Sequence, residues 1–214
     1  MGGGRKKTQL QAGARSKGEV TRGRIVEAAI RLFARDGYTN VSIRQIAKRV
    51  GITQAGVLRH FPEKRLILRA VLNFVLLANH TRVESLQNAE ADARQSLIEH
   101  ARGNIVWAFE YPEQAQFILL LYYCAIYDSE FAELYAQITD VGRGRISRWL
   151  HAGRREKLFS MEVSEIEMRA SNIHSLLVGV IIDLLAGKRR GEKASVDHAM
   201  ERFLSSLMFL APSA

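Results

Sequence analysis

Apolar residues in this chain return every third or fourth position in stretch after stretch, and nowhere alternate strictly enough for a strand. The first stretch, about Thr21 to Asp36, carries Ile25, Ala29, Leu32 and Phe33 on one face with Val26 and Ile30 beside it, and Gly37 supplies the stop. A second opens after Ser42, where Gln45 three residues on completes a capping-box pattern, and turns Ile43, Ile46, Ala47 and Val50 inward. Thr53 is placed to cap a third helix, about Gln54 to His60, which Pro62 ends. A fourth, about Glu63 to Leu86, is apolar on most sides, so burial on several sides and a connecting role are expected of it.

The same period predicts helices over about Ala93 to Glu110, Glu113 to Ala125 and Ser129 to Arg155, with an interruption expected near Gly142 and Gly144. Gly153 to Val163 reads as polar and irregular. Two last helices, about Ser164 to Ala186 and Ser195 to Ala211, are joined by a Gly187-Lys188-Arg189-Arg190-Gly191 turn. Residues 1–20 are rich in Gly, Lys, Arg and Ser and have no apolar face, which is the pattern of a disordered basic arm. The expected fold is therefore all-α: an arm over 1–20, a three-helix head over 21–66 and a larger helical body over 67–214.

Charge sharpens this division. The net charge is +9, yet residues 1–77 hold 16 Lys+Arg against 4 Asp+Glu, while the remainder holds 15 against 18. A basic head on a mildly acidic body fits nucleic-acid binding at one end and another task at the other, although charge alone fits a merely solvated face as well. Cys124 is the sole cysteine, so no intramolecular disulfide is expected. The basic N-terminus has no apolar stretch behind it, and Leu176 to Ala186 is too short to span a bilayer and contains Asp183. A soluble cytoplasmic chain with no membrane partner is expected. The chain shows no Cys/His cluster, no H-E-x-x-H and no phosphate loop, so neither enzymatic chemistry nor a metal or cofactor is expected.

Within the head, Ala47, Gly51 and Val57 stand where two short helices need them to cross tightly around a turn. Ala47 permits close approach, Gly51 can take the left-handed conformation that ends a helix, and Val57 faces back to the shared core. That is the frame of a helix-turn-helix, whose second helix enters a major groove. The run Phe33-Ala34-Arg35-Asp36-Gly37-Tyr38, then Val41 to Ala47, Gly51-Ile52 and His60-Phe61-Pro62-Glu63-Lys64 resembles the N-terminal domain of TetR-family transcriptional regulators. The resemblance covers about fifty residues, Arg24 to Leu72. It implies a homodimer on a near-palindromic double-stranded DNA operator, with a body that binds a small molecule and then releases DNA.

By the same resemblance, Gln54, Ala55, Arg59 and His60 lie where the family's recognition helix meets DNA. Arg44 matches a base- or phosphate-reaching position, and Thr53 and Lys64 match phosphate contacts. Many members carry tyrosine where this chain has Leu58, which cannot hydrogen-bond a phosphate but can pack on a thymine methyl or a sugar. Chemically, Arg44, Gln54 and Arg59 have the bidentate groups that read guanine and adenine, whereas Ser42, Thr53, His60 and Lys64 suit phosphates.

In the body, Trp107, Phe117, Tyr122, Tyr123, Tyr127 and Trp149 fall at helical spacing. Such aromatics serve equally as core or as the wall of an apolar site, where His100, Asn104 and His174 could orient an apolar or aromatic ligand of few charges. Leu176, Leu177, Val180, Ile181 and Leu184, with Phe203, Leu207 and Met208, form either core or a dimer interface of paired terminal helices, the resemblance favouring the dimer. The competing function is a DNA-tethered adaptor whose body binds a protein. A solid body with a large apolar patch would favour it; an enclosed cavity would favour the small molecule.

Overall fold

The computed structural model describes residues 16–189 and 195–207, and within them every regular element is helical. The order is α1 (Lys17–Asp36), α2 (Ile43–Val50), α3 (Gln54–His60), α4 (Lys64–Glu84), α5 (Ala93–Glu110), α6 (Pro112–Cys124), α7 (Ser129–Arg155), a 3-10 turn (Val163–Glu165), α8 (Ile166–Arg189) and α9 (Val196–Ser205).

Local chemistry explains most boundaries. The Ser42 hydroxyl accepts from the Gln45 backbone N–H and the Gln45 side chain accepts from the Ser42 N–H at 2.7 Å, so α2 starts with both groups of its cap satisfied. Gly51 ends it at φ 77°, ψ 35°, a conformation that costs an L-residue roughly 1–2 kcal/mol. Thr53 Oγ1 accepts from Gly56 N–H at 3.0 Å and opens α3. An added Cβ on Gly56 would stand 3.3 Å from that same oxygen, so the first turn of α3 closes tightly over its cap.

Four differences from the expected pattern have physical causes. First, α1 begins at Lys17 because Ser16 and Glu19 form another capping box, so residues 17–20 belong to the helix and not to an arm; residues 1–15 lie outside the described residues. Second, α7 runs unbroken past Gly142 and Gly144. A Cβ at Gly142 would come 2.9 Å from the His174 ring, so this glycine lets α7 and α8 approach and does not break the helix. Third, the segment after α7 is not merely polar. Phe159 folds back over Gly153, where a Cβ would lie 2.3 Å from its ring, and Phe159 and Met161 are buried. Fourth, α8 continues to Arg189, taking in the first three residues of the expected turn, while α9 ends at Ser205; residues 190–194 and 208–214, Met208 among them, lie outside the described residues.

The core has two parts. One joins α1 to α4 with α6: Ile25, Ala29 and Phe33 meet Ile46, Val57, Phe61, Ile67, Val71 and Phe117. The other gathers α5, α7, α8 and α9 around Leu97, Ile105, Ile146, Leu150, Ile173 and Phe203. The head is therefore not packed alone. Phe33 of α1 lies 5.7 Å from the ring of Phe117 on α6. The inner stripe of α4 (Ile67, Leu68, Val71, Leu72, Val75) enters the first core, but Leu66, Phe74 and Leu77 are exposed, so α4 is buried on fewer sides than its composition suggests. By length and composition α4 and α8 could each cross a membrane; here both pack against neighbouring helices.

Candidate nucleic-acid interface and ligand cavity

Two regions carry unfulfilled chemistry. The first is the outer surface of α2 and α3. Ile46, Ala47, Val50 and Val57 are buried and hold the two helices together, which leaves Arg44, Lys48 and Arg49 of α2 and Gln54, Ala55 and Arg59 of α3 exposed. The side chains of Arg44, Gln54 and Arg59 have no protein partner among the described residues, so their donors face solvent unopposed. Leu58 is half-buried beside them. The frame is braced from α1: Arg24 donates to the Val50 carbonyl at 2.7 Å, and Arg22 donates to the His60 carbonyl at 3.0 Å with its guanidinium over the Phe61 ring.

The capping side chains differ in what they leave free. Ser42 donates its hydroxyl proton to Gln45 Oε1 at 2.8 Å while accepting from the Gln45 backbone, so its capacity is used within the cap. Thr53 only accepts in its cap, which leaves its proton for an outside acceptor such as a phosphate. Lys64 lies over the Tyr38 ring, 4.4 Å from its centre, and donates to the Thr39 carbonyl at 3.4 Å; burial holds its pKa below the usual lysine value. Reaching a phosphate would require it to leave that ring.

The second region is a cavity of about 530 Å³ between α4, α5, α6, α7 and α8. Of the nine body residues singled out in the sequence, His100, Asn104, Trp107, Tyr122 and His174 line it. The other four do not. Phe117 turns the opposite way, onto Phe33; Trp149 packs at a tilt against His100 with ring centres 5.0 Å apart; Tyr123 and Tyr127 pair with each other on the surface, 60% and 74% exposed. Asn73, Asn79 and His80 of α4, and Gln137 and Arg145 of α7, were missed as polar members of the wall. Their signal was weak but present: Leu134, Ile138, Val141 and Arg145 recur at turn spacing along one face of α7.

Burial sets the protonation of this wall. His100 has its pKa lowered to about 4 by desolvation, with Arg145 and His174 adding to the effect, and burial lowers His174 likewise. The Tyr122 hydroxyl is pushed up to about 12 by burial, with Tyr135 nearby, so it stays protonated. Asn79 donates to Asn104 Oδ1 at 3.1 Å, and Asn104 donates to the His100 carbonyl at 2.9 Å, which ties α4 to α5 across the cavity rim. Among the described residues no group of three metal-ligating side chains comes together.

The assignment of a dimer face to α8 and α9 needs correction at its residues. Leu177, Val180, Leu184, Phe203 and Leu207 are buried within this one subunit, Leu176 and Ile181 are partly buried against the same core, and Leu177 and Ile181 line the cavity. They face inward because α7 and α5 already cover them. The outward stripe of α8 is a different one: Met168, Asn172, Ser175, Gly179, Ile182 and Ala186, spaced alternately by four and three residues. At Gly179 nothing lies within 4 Å of where a Cβ would stand, and Leu204 of α9 is exposed beside an Arg202–Asp183 ion pair that joins the two helices.

These features define a helix-turn-helix protein with an all-α body. Residues 25–71 match the model of bacterial regulatory proteins of the tetR family. The tetracycline repressor protein class A from transposon 1721 of Escherichia coli is 35% identical over 79 residues, 37% of this chain and 36% of the repressor. The nucleoid occlusion factor SlmA of Marinobacter nauticus is 30% identical over 88 residues, 41% of this chain and 45% of that protein. The chain thus spans less than half the length of these curated relatives. Among solved structures, one described as a transcriptional regulator from Saccharomonospora viridis in complex with choline is 26% identical, with a TM-score of 0.80 over 92% of this chain and 100% of that one. A Rhodococcus regulator at 18% identity, TM-score 0.73, covering 90% of this chain and 98% of its own, shares the fold. Residues 25–71 thus carry the tetR-family DNA-binding pattern, and the chain as a whole shares the fold of these solved regulators.

Proposed function

We propose that this chain is a dimeric repressor that binds a near-palindromic operator through α2 and α3 and is released when a small molecule occupies the cavity. The observation that carries the DNA half is the set of exposed, unpartnered Arg44, Gln54 and Arg59 on a buried apolar frame. Arg44 and Arg59 can pair with guanine O6 and N7, Gln54 with adenine N6 and N7. Thr53, His60 and, once freed from Tyr38, Lys64 take phosphates; Ala55 and Leu58 offer apolar contact to thymine or sugar. The natural location of such a protein is the cytoplasm.

The head spans residues 17–66 in this reading, and the body begins within α4. Two copies meet through the outward stripe of α8 and the exposed edge of α9, where Gly179 allows close approach. The cavity favours a small molecule over a protein partner as the signal. Choline, bound in the Saccharomonospora structure, supplies a cationic compound against which other ligand classes can be compared.

Two helices connect the regions. α4 packs on α1 with Ile67, Val71 and Leu72 and turns Leu76, Leu77 and His80 to the cavity. On α6 the switch happens between neighbours: Phe117 meets the head and Ile118 lines the cavity. A ligand that favours one setting of these helices shifts the spacing of the two recognition helices, which binding requires to be about one duplex turn, roughly 34–36 Å. Selection of bound sequences from a random DNA pool tests the reading. Enrichment of two inverted half-sites with that spacing supports it, and equal retention of all sequences at physiological salt would sink it.

A further inference from the structure

The polar groups of the cavity are unequal in kind. No carboxylate side chain lines it among the described residues, whereas Arg145 does, with its side chain only 16% exposed. Every protein contact of Arg145 is made through one nitrogen, Nη2, shared between His80 and Glu84. Nε and Nη1 remain without a protein partner among the described residues. Glu84 approaches Nη2 at 3.5 Å and is itself 55% exposed, so solvent screens much of its pull on the guanidinium.

Two further donors belong to lining residues but are shielded from solvent, and they lack acceptors. Trp107 Nε1 is buried with no partner, and an indole nitrogen can only donate. His100 Nδ1 is also buried with no partner. The other ring nitrogen of His100, Nε2, faces the Asn104 amide nitrogen at 3.5 Å, a donor held in that sense because its amide oxygen accepts from Asn79. Nε2 is thus the lone-pair side, and the proton of the neutral ring sits on the orphaned Nδ1. Burial keeps that ring uncharged near neutral pH and keeps the Tyr122 hydroxyl protonated. Arg145 thus meets no carboxylate in a wall whose amides, Asn73, Asn79, Asn104 and Gln137, carry donors and acceptors alike, and whose aliphatic part includes Leu76, Leu119, Leu134, Ile118, Ile138 and Val178.

We infer that the cavity takes an apolar carboxylic acid, its carboxylate accepting from Arg145 while its body lies against the aliphatic wall. This rests on the cavity being a ligand site. A carboxylate supplies lone pairs to the unpartnered Nε and Nη1 of Arg145 and offsets its largely buried charge. A cationic head meets Arg145 with no carboxylate to balance it, and a neutral alcohol supplies one acceptor without the charge. The inference departs from the expectation of a ligand with few charges.

The test is binding of four probes to the full chain by titration calorimetry: octanoate, 1-octanol, octyltrimethylammonium and cinnamate. The expected result is octanoate or cinnamate binding at least roughly tenfold tighter than the alcohol and the cation. Arg145→Met removes that preference and leaves the alcohol's affinity within about twofold. Octanoate against cinnamate separates an aliphatic from an aromatic body. If the alcohol or the cation binds as tightly as both acids, the head-group assignment is overturned while the ligand site stands. If no probe binds saturably, or binding persists unchanged in the cavity-filling variant Leu119→Trp, the ligand site itself is overturned and the inference with it.

Discussion

The head is solid and carries its unpartnered side chains on the outside; the body holds a cavity between its helices. Around Ile46, Val57 and Phe61 the head is closely packed, and the unpartnered side chains of Arg44, Gln54 and Arg59 point to solvent. The body leaves a half-open cavity of about 530 Å³ between five helices, with Arg145 in its wall. A rigid frame suits reading, because base contacts need fixed geometry. An unfilled interior suits sensing, because helices around a void can settle in more than one arrangement and a ligand can choose between them. Phe33 against Phe117 is where the two regions share one core.

That shared core gives the largest expected effect. Phe33→Ala removes a buried ring between α1 and α6 and should cost about 3–5 kcal/mol, seen as one cooperative shift in urea unfolding. Two separate transitions would mean that head and body are independent units.

Next comes a property of the body alone. The folded pKa of His100, about 4, lies below its ordinary 6.5. As pH falls the unfolded chain takes up the proton first, so the stability that buried neutral His100 contributes is complete above 6.5 and drains away toward 4. The loss should approach about 3 kcal/mol in urea titrations, and His100→Leu should flatten it. DNA base preference should not follow this titration.

Smaller still are changes on the reading surface. Arg59→Ala or Gln54→Ala should weaken the selected duplex by about 1–3 kcal/mol, relax the preference at one base position and leave the melting temperature unchanged. Smallest is Gly51→Ala, which forces a side chain into φ 77° and should cost about 1 kcal/mol in unfolding experiments.

The two regions also differ in how legible they were. Caps, stops and frame of the head act over three or four residues, so Ser42, Gln45, Gly51 and Thr53 announce α2 and α3 in the sequence. The cavity draws on five helices, and which face of each turns inward depends on partners far along the chain. Phe117 and Ile118 illustrate the problem: adjacent residues of one apolar run serve opposite regions. Arg145 reads as a solvated charge until His80 and Glu84 of α4 are brought beside it. Gly142 reads as a helix break until His174 is seen filling the space where its side chain would be. In α8 and α9 the apolar pattern was real, but the subunit's own core claimed the larger side chains and left Met168, Gly179 and Ile182 outside.

The coupling of hollow body to solid head is tested most directly by the affinity of the selected duplex for wild type and for Leu119→Trp, a variant that fills the cavity from within. Overpacking of this kind costs about 1–3 kcal/mol, and a folded variant is recognised by an unchanged circular dichroism spectrum. The expected result is an affinity loss of roughly tenfold with the same base preferences, as though the cavity were permanently occupied. An unchanged affinity in the folded variant, or an altered base preference, would contradict the coupling of cavity to reading surface.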